Sequence, residues 1–325
     1  MTSPAKRSTI ADVARAASVS SATVSFVLND TPGQSIPEET RRRVLEAVRQ
    51  LDYRPRGSAR SLAAGRSDVI LLSIPHLSIG PSIGRFVEQF AASLADAGLT
   101  LVTHLAGAPG QALPDVCAAV DASVVASLEP IDDDTARTLR RAGATIVFTT
   151  EVEAHPTMRQ MGHLQAEHLI GLGHRRIGYA MPEHKLLRKI ADDRFLGVAD
   201  ACAQAGIDPP VALDTKFDTA VMARAARRWR RESVTAVCAY NDEVAISLLA
   251  GMRRAKLTAP EDLAIVGADD IPLAQVADPP LSTIAFDLEK MGRSLAEAVV
   301  ASLSGGRPRV SPPAFQPHVI HRAST

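Results

Sequence analysis

The sequence predicts an N-terminal all-α helix-turn-helix head followed by an α/β core of two doubly wound parallel-sheet lobes. Three observations predict it. The first fifty residues read as three short amphipathic helices, with the break "SVS" between the first two. From Ser67 onward, short apolar runs alternate with helical segments, which is the pattern of βαβ units. Charge is segregated as well. Residues 1–66 hold 11 Lys and Arg against 6 Asp and Glu, a surplus of +5; the whole chain balances 36 against 36, which leaves −5 on the rest.

The head builds helix by helix. Thr9 is a natural N-cap, and Asp12 can reach back to the Thr9 amide in a capping box. The first helix runs through "IADVARAA", with Ile10, Val13 and Ala14 on one side. Ser20 caps the second, Ser21 to about Asn29, whose Val24, Val27 and Leu28 face a small core. "NDTPGQ" is loop chemistry, and Pro37 suits the first turn of a third helix through "EETRRRVLEAVRQL". The buried stripe expected there is Val44, Leu45, Val48 and Leu51. This layout enters DNA grooves, and the basic surplus favours that role over a plain three-helix bundle. "SARSLAAGRS", after "DYRPRG", is too short to be stable as a lone helix and reads as a linker that orders on contact.

The core follows with "VILLSI", a helix around Phe86, Val87, Phe90 and Leu94, then "LTLVT", "SVVASL", "ATIVFT", "RRIGYA", "TAVCAY", "DLAIVG" and "STIAF". Runs this apolar suit strands covered on both faces. They exceed one ordinary doubly wound sheet, so two lobes are expected. "RPRVSPPAFQP" is a surface connection before a last short strand.

Composition narrows the function. At 325 residues with 46% apolar and 22% charged, the chain has the make-up of a globular protein of two or three domains. No apolar run approaches a membrane span, and "MTSPAKRSTI" lacks the hydrophobic centre of a signal peptide, so a cytoplasmic protein is expected, with no membrane partner. Cys117, Cys202 and Cys238 are far apart and form no CxxC, which fits a reduced compartment and no metal site. Two function classes stand side by side: a ligand-controlled DNA-binding regulator, and an enzyme or transport receptor on the same scaffold. Transport calls for a signal peptide. Catalysis calls for a nucleophile elbow, a phosphate loop or an HExxH, and the sequence has none of them. His163 and His168 are five apart, off the i, i+4 spacing of a shared helix face, and "GLGHRR" precedes a strand rather than following one, so His174 reads as structural. No cofactor and no catalytic residue is expected.

Six segments carry a resemblance: "TIADVARAASVSSATVSFVLN", "EETRRRVLEAVRQLDYRP", "EHLIGLGHRRIGYA", "AVCAYNDEVAISLL", "LAIVGADDIP" and "DPPLSTIAFDLEKMG". In order and spacing they are similar to the lactose-repressor (LacI/GalR) family of bacterial transcription regulators. The resemblance implies a homodimeric repressor with a periplasmic-binding-protein-like core. It implies a head at 1–54, a hinge helix at 55–66 and an effector-binding core at 67–325. The first lobe would span about 67–156 and 287–314, the second about 157–286 and 315–325. A small molecule (a sugar, a sugar phosphate or another small metabolite) binds between the lobes and controls affinity for double-stranded operator DNA. Paired heads then read a pseudo-palindrome. The sequence has no leucine-heptad tail, so a dimer is expected over a tetramer.

On the DNA face, the family's base-reading positions match Ser21, Ala22 and Phe26. Phe26 stands where a long polar residue or arginine is frequent, so direct readout is expected to be sparse: one hydroxyl, and apolar contact with thymine methyls. Two roles stay open for Phe26, base contact or a place in the head's core. Thr9, Ser20, Thr23, Ser25, Asn29 and Tyr53 are candidate DNA contacts, mainly to phosphate. Leu62 matches the family's minor-groove wedge, and Ala59 the small residue that lets two hinges approach. Arg56 stands where Asn is frequent, and Arg suits a narrow groove.

For the effector, the resemblance implies Arg194 in "DDRFLG", Asn241 after "TAVCAY", Asp269 after "LAIVG" and the aromatic position Phe217. Such strand exits are where open α/β folds bind ligands. Arg194 as a structural ion pair and Asp270 as a loop cap are the plainer alternatives. In "TMRQMGH", Arg159 and Gln160 stand where an acidic hydroxyl acceptor is common, which tilts the effector towards an anion.

Overall fold

The computed structural model describes residues 8–29, 35–53, 67–75, 80–107, 110–128, 130–149, 156–183, 187–306 and 317–325. The chain divides into two compact units, residues 1–68 and 69–325.

In the smaller unit, α1 (Ile10–Ala16), α2 (Ser21–Asn29) and α3 (Glu38–Gln50) enclose a core of Val13, Ala14, Ala17, Val24, Val27, Val44, Ala47 and Tyr53. The Thr9–Asp12 capping box forms as expected. Ser18 takes a left-handed φ of 54°, and the Val19 amide returns to the Ala14 carbonyl, which ends α1 within a three-residue turn. The stripe read for α3 needs one correction. Leu45 is 41% exposed, and Ala47 is buried instead. Val44, Ala47, Val48 and Leu51 follow the i, i+3, i+4, i+7 spacing, and Leu45 falls about 100° off it.

The larger unit holds two sheets. The first, ordered β2-β1-β3-β4, pairs β1 (Val69–Pro75), β2 (Thr100–Ala106), β3 (Val124–Ser127) and β4 (Ile146–Thr149) in parallel. Alternate side chains explain its unbroken apolar runs. Ile70, Leu72 and Ile74 pack under α4 (Pro81–Asp96) and α12 (Leu288–Leu303). Leu71 and Val125 pack under α5 (Leu113–Ala119) and α6 (Asp133–Arg141). α12 lies in the chain between β9 and β10 of the second sheet yet crosses back to α4, with Gly292 against the Phe86 carbonyl.

The second sheet runs β10-β9-β8-β7-β5-β6. Its parallel strands are β5 (Ile177–Pro182), β6 (Val211–Thr215), β7 (Ala236–Ala239), β8 (Ala264–Ala268) and β9 (Ser282–Ala285); β10 (His318–Ile320) adds antiparallel at one edge. On one face lie α7 (Pro156–Gly171) and α8 (Arg188–Gln204); on the other, α9 (Thr219–Arg231) and α10 (Asp242–Ala255). Short α11 (Pro272–Val276) follows β8. Trp229 of α9 is fully buried and donates from Nε1 to the Val211 carbonyl at 2.9 Å, while Gly178 of β5 leaves room for its ring. The strand order reverses between β5 and β7, so the carboxyl ends of those strands open a crevice.

Candidate functional site

In the smaller unit, the first turn of α2 presents Ser21 and Ala22 side by side, both exposed. Phe26, one turn on, is half-buried and stands outside the head's apolar core, whereas Val24 and Val27 lie within it. Geometry thus separates two kinds of side chain on one helix. Hydroxyls gather at its start: Ser20 Oγ accepts from the Thr23 amide at 3.0 Å and pairs with Thr23 Oγ1 at 2.9 Å. The Thr9 hydroxyl is engaged in its capping box, donating to Asp12 Oδ2 at 2.7 Å. Ser25 is half-exposed. Tyr53, read as a phosphate contact, is 8% exposed with its ring in the core, so only its edge can reach outward. Asn29 closes α2. Arg56, Ala59 and Leu62 lie outside the described residues.

In the larger unit, the strand-exit residues converge. Arg194 projects from α8 and is 5% exposed. Its Nη2 donates to Asp269 Oδ1 at 2.9 Å, its Nη1 donates to the Tyr240 carbonyl, and its plane lies 4.9 Å from the Tyr240 ring centroid. Burial is the largest influence and works against that charge, but the Asp269 carboxylate, together with Tyr240 and Tyr179, outweighs it and holds the guanidinium protonated. Asn241 follows as the N-cap of α10, its Oδ1 accepting from the Val244 amide at 3.0 Å and its Nδ2 facing Glu243 Oε2 at 3.4 Å. Asp269 and Asp270 both adopt positive φ, 101° and 44°, an uncommon backbone for a side-chain-bearing residue. Arg322 pairs with Asp270 at 2.7 Å. Arg194, Asn241 and Asp269 therefore share one group at the exits of β7 and β8.

Arg159 and Phe217 stand apart from this group, with no hydrogen bond or ion pair to it among the described residues. Arg159, on α7, forms an ion pair with Asp200 of α8, with Nη2 at 2.9 Å from Oδ1. Its charge is answered within the helix pair. Phe217 is 72% exposed between β6 and the Asp218 cap of α9.

Three neighbours complete the surroundings: Asp242, which the sequence places beside Asn241 without a role, and Gln165 and Arg85, which it does not single out. Asp242 is fully buried, accepting from the Ile271 amide at 2.9 Å and from the Thr283 hydroxyl at 2.6 Å. Burial pushes its carboxyl up to about 7, against the pull of those hydrogen bonds and with Asp269 and Asp270 adding to the rise. Gln165 is buried under the strand ends and donates to the carbonyls of Ala239 and Gly267 at 2.8 and 2.9 Å. Arg85, on α4 of the first lobe, donates from Nη2 to the Asp269 carbonyl at 2.8 Å and the Asp270 carbonyl at 3.2 Å. It spans the crevice between the lobes.

Comparison with known proteins adds to this geometry. A profile described as bacterial regulatory proteins, lacI family, matches residues 9–56, and one described as a periplasmic binding protein-like domain matches residues 166–325. The chain is 28% identical to the HTH-type transcriptional regulator GalR of Escherichia coli (strain K12), over 97% of this chain and 95% of that protein. It is 27% identical to the HTH-type transcriptional repressor PurR of Photobacterium profundum, over 90% and 91%. Among solved structures, the lac repressor dimer bound to operator and the anti-inducer ONPF superposes with a TM-score of 0.77 at 21% identity, covering 98% of this chain and 99% of that one. The complex of transcriptional regulator CelR with cellobiose superposes at 0.64 with 26% identity, covering 98% and 100%.

Proposed function

This chain belongs to the lacI family of bacterial regulatory proteins, and we propose that it is a homodimeric, cytoplasmic repressor whose affinity for operator DNA is set by a small molecule held between the lobes of its core. The observation that carries the reading is the exposed first turn of α2, with Ser21 and Ala22 outward in a head whose core is already complete without them. Base contact belongs to Ser21, Ala22 and Phe26; Thr9, Ser20, Thr23, Ser25, Asn29 and the edge of Tyr53 make the supporting contacts, mainly to phosphate. Arg56, Ala59 and Leu62 serve the hinge over 55–66. Residues 1–54 are the head and 67–325 the effector-binding core, whose ligand-facing residues include Arg194, Asn241 and Asp269. Phe217 offers its exposed ring to a ligand face, and Arg159 contributes to the shape of the second lobe through Asp200. Relatives bearing this architecture are named as transcription regulators, which supports a non-catalytic role.

Selection from a randomised duplex pool by the full chain tests the reading. The expected product is a pseudo-palindrome with two half-sites, bound with an affinity that falls steeply with salt. Deleting residues 1–66 is expected to abolish retention of that duplex. Retention unchanged by the deletion would overturn the assignment of the head.

A further inference from the structure

Among the described residues, no carboxylate answers the charge of Arg85. Both of its hydrogen bonds go from Nη2 to main-chain carbonyls, those of Asp269 and Asp270, which offer dipoles but no negative charge. Its Nε is buried with no partner, and no carboxylate lies within 4.0 Å of it among the described residues. The acids of that loop are turned elsewhere: Asp269 to Arg194 at 2.9 Å, and Asp270 to Arg322 at 2.7 Å. Asp242 is buried behind the loop and holds the Ile271 amide. Glu243 faces Asn241 and stands near Gly80, at the start of α4, which places a carboxylate by that helix terminus but not on Arg85. A second bare donor stands nearby. Arg194, whose Nη2 is on Asp269, also has a buried Nε with no partner. Cations from both lobes thus converge on one residue, Asp269, each with a donor to spare.

Arg85 is part-buried, and a guanidinium whose charge is unmatched there is best met by an oxyanion that takes two of its N–H groups at once. A neutral polyol can accept those hydrogen bonds but leaves the charge uncompensated. We propose that the effector carries a carboxylate or phosphate group, and that Arg85 of the first lobe takes this anion while the Asp269–Asp270 loop of the second lobe contacts the rest. The inference rests on the reading of the crevice as the effector site. It replaces Arg159, whose charge Asp200 already answers, with a cation that bridges the lobes. An anion held by Arg85 would tie closure of the lobes to occupancy.

The test uses the full chain and calorimetric titration with inorganic phosphate and malonate as probes, and glucose and glycerol as neutral counterparts. Wild type is expected to bind at least one of the two anions at a site whose affinity falls about tenfold or more in Arg85→Gln, as for loss of a hydrogen bond to a charged group. Arg85→Lys should lie between, since lysine keeps the charge and loses the fork. Arg188→Gln, which removes an exposed cation paired with Asp214, should bind like wild type. Absence of anion binding, or equal binding in wild type and Arg85→Gln, overturns the proposal. A neutral compound that alters DNA retention alike in wild type and Arg85→Gln overturns the anion and leaves the ligand-controlled regulator standing. A full chain that binds no duplex at all defeats the regulator reading, while the Arg85 titration still decides whether the crevice takes anions.

Discussion

Gly162→Ala is expected to destabilise the second lobe by about 3 kcal/mol, the upper range for overpacking a close contact. A methyl group at Gly162 would overlap the Arg194 main-chain carbonyl, and one at Gly197 would overlap that of Arg159. The two glycines thus form a reciprocal contact where α7 and α8 cross backbone to backbone, with no flexible side-chain end to yield. The same crossing sets the position from which Arg194 reaches Asp269 and Tyr240. Trp229 is the sole tryptophan and lies in this lobe's core, so its fluorescence during urea unfolding of the full chain reports the lobe directly. Gly171→Ala, near the end of the same helix with open space around it, is the control and should stay within about 0.5 kcal/mol of wild type. A Gly162→Ala midpoint equal to that of the control would mean that the helices slide apart at little cost. Gly197→Ala should act alike, and the double variant should fall short of the sum, because both methyls press on one crossing.

Sequence carried most of the scaffold because local signals and packing agree there. The capping box at Thr9, the apolar runs of β1 and β8 and the stripe of α4 each name the face they bury. β6 went unread. It is an edge strand after two prolines, half exposed, and "VALDT" alternates with polar residues rather than forming a run. Leu45 is a second exception because Ala47, small and easily passed over, completes the i, i+3, i+4, i+7 face with Val44, Val48 and Leu51 and leaves Leu45 off it. The candidate site was legible to the extent that strand exits are legible. Arg194, Asn241 and Asp269 sit at the ends of recognisable strands or on the helix beside them; Arg194 and Asp269 pair, and Asn241 follows the Tyr240 carbonyl to which Arg194 donates. What sequence could not supply is pairing across the fold. Arg159 finds Asp200 41 positions away, and Arg85 reaches a loop 184 positions away. Such partners are set by how helices and lobes pack, and charge type alone does not determine them.

Asp242 should give the core a pH dependence of its own. Its carboxyl titrates near 7 when folded, against an ordinary value of 3.8. Between those values the folded chain holds a proton that the unfolded chain has released. The stability this proton confers is complete below about pH 4, declines as pH rises, and is gone above about 7. At 1.36 kcal/mol per pH unit, the span is about 4 kcal/mol. Carboxylates held low by hydrogen bonds, such as Asp132 and Asp218, slope the opposite way, so the profile of wild type alone does not isolate the effect. The comparison with Asp242→Asn does. An asparagine can turn its Oδ1 to the Ile271 amide and donate from Nδ2 to Thr283 Oγ1, keeping both contacts without a titrating group. Wild type and variant should unfold at similar urea concentrations at pH 4, followed through Trp229, and the variant should be the more stable by several kcal/mol at pH 8. A gap that does not change with pH would mean the carboxyl keeps one charge state throughout. Ionisation also adds a negative charge behind the loop whose carbonyls hold Arg85. Anion binding to wild type should therefore weaken across the same pH window, beyond any change in Asp242→Asn, so that proton and effector would favour the same state of the crevice.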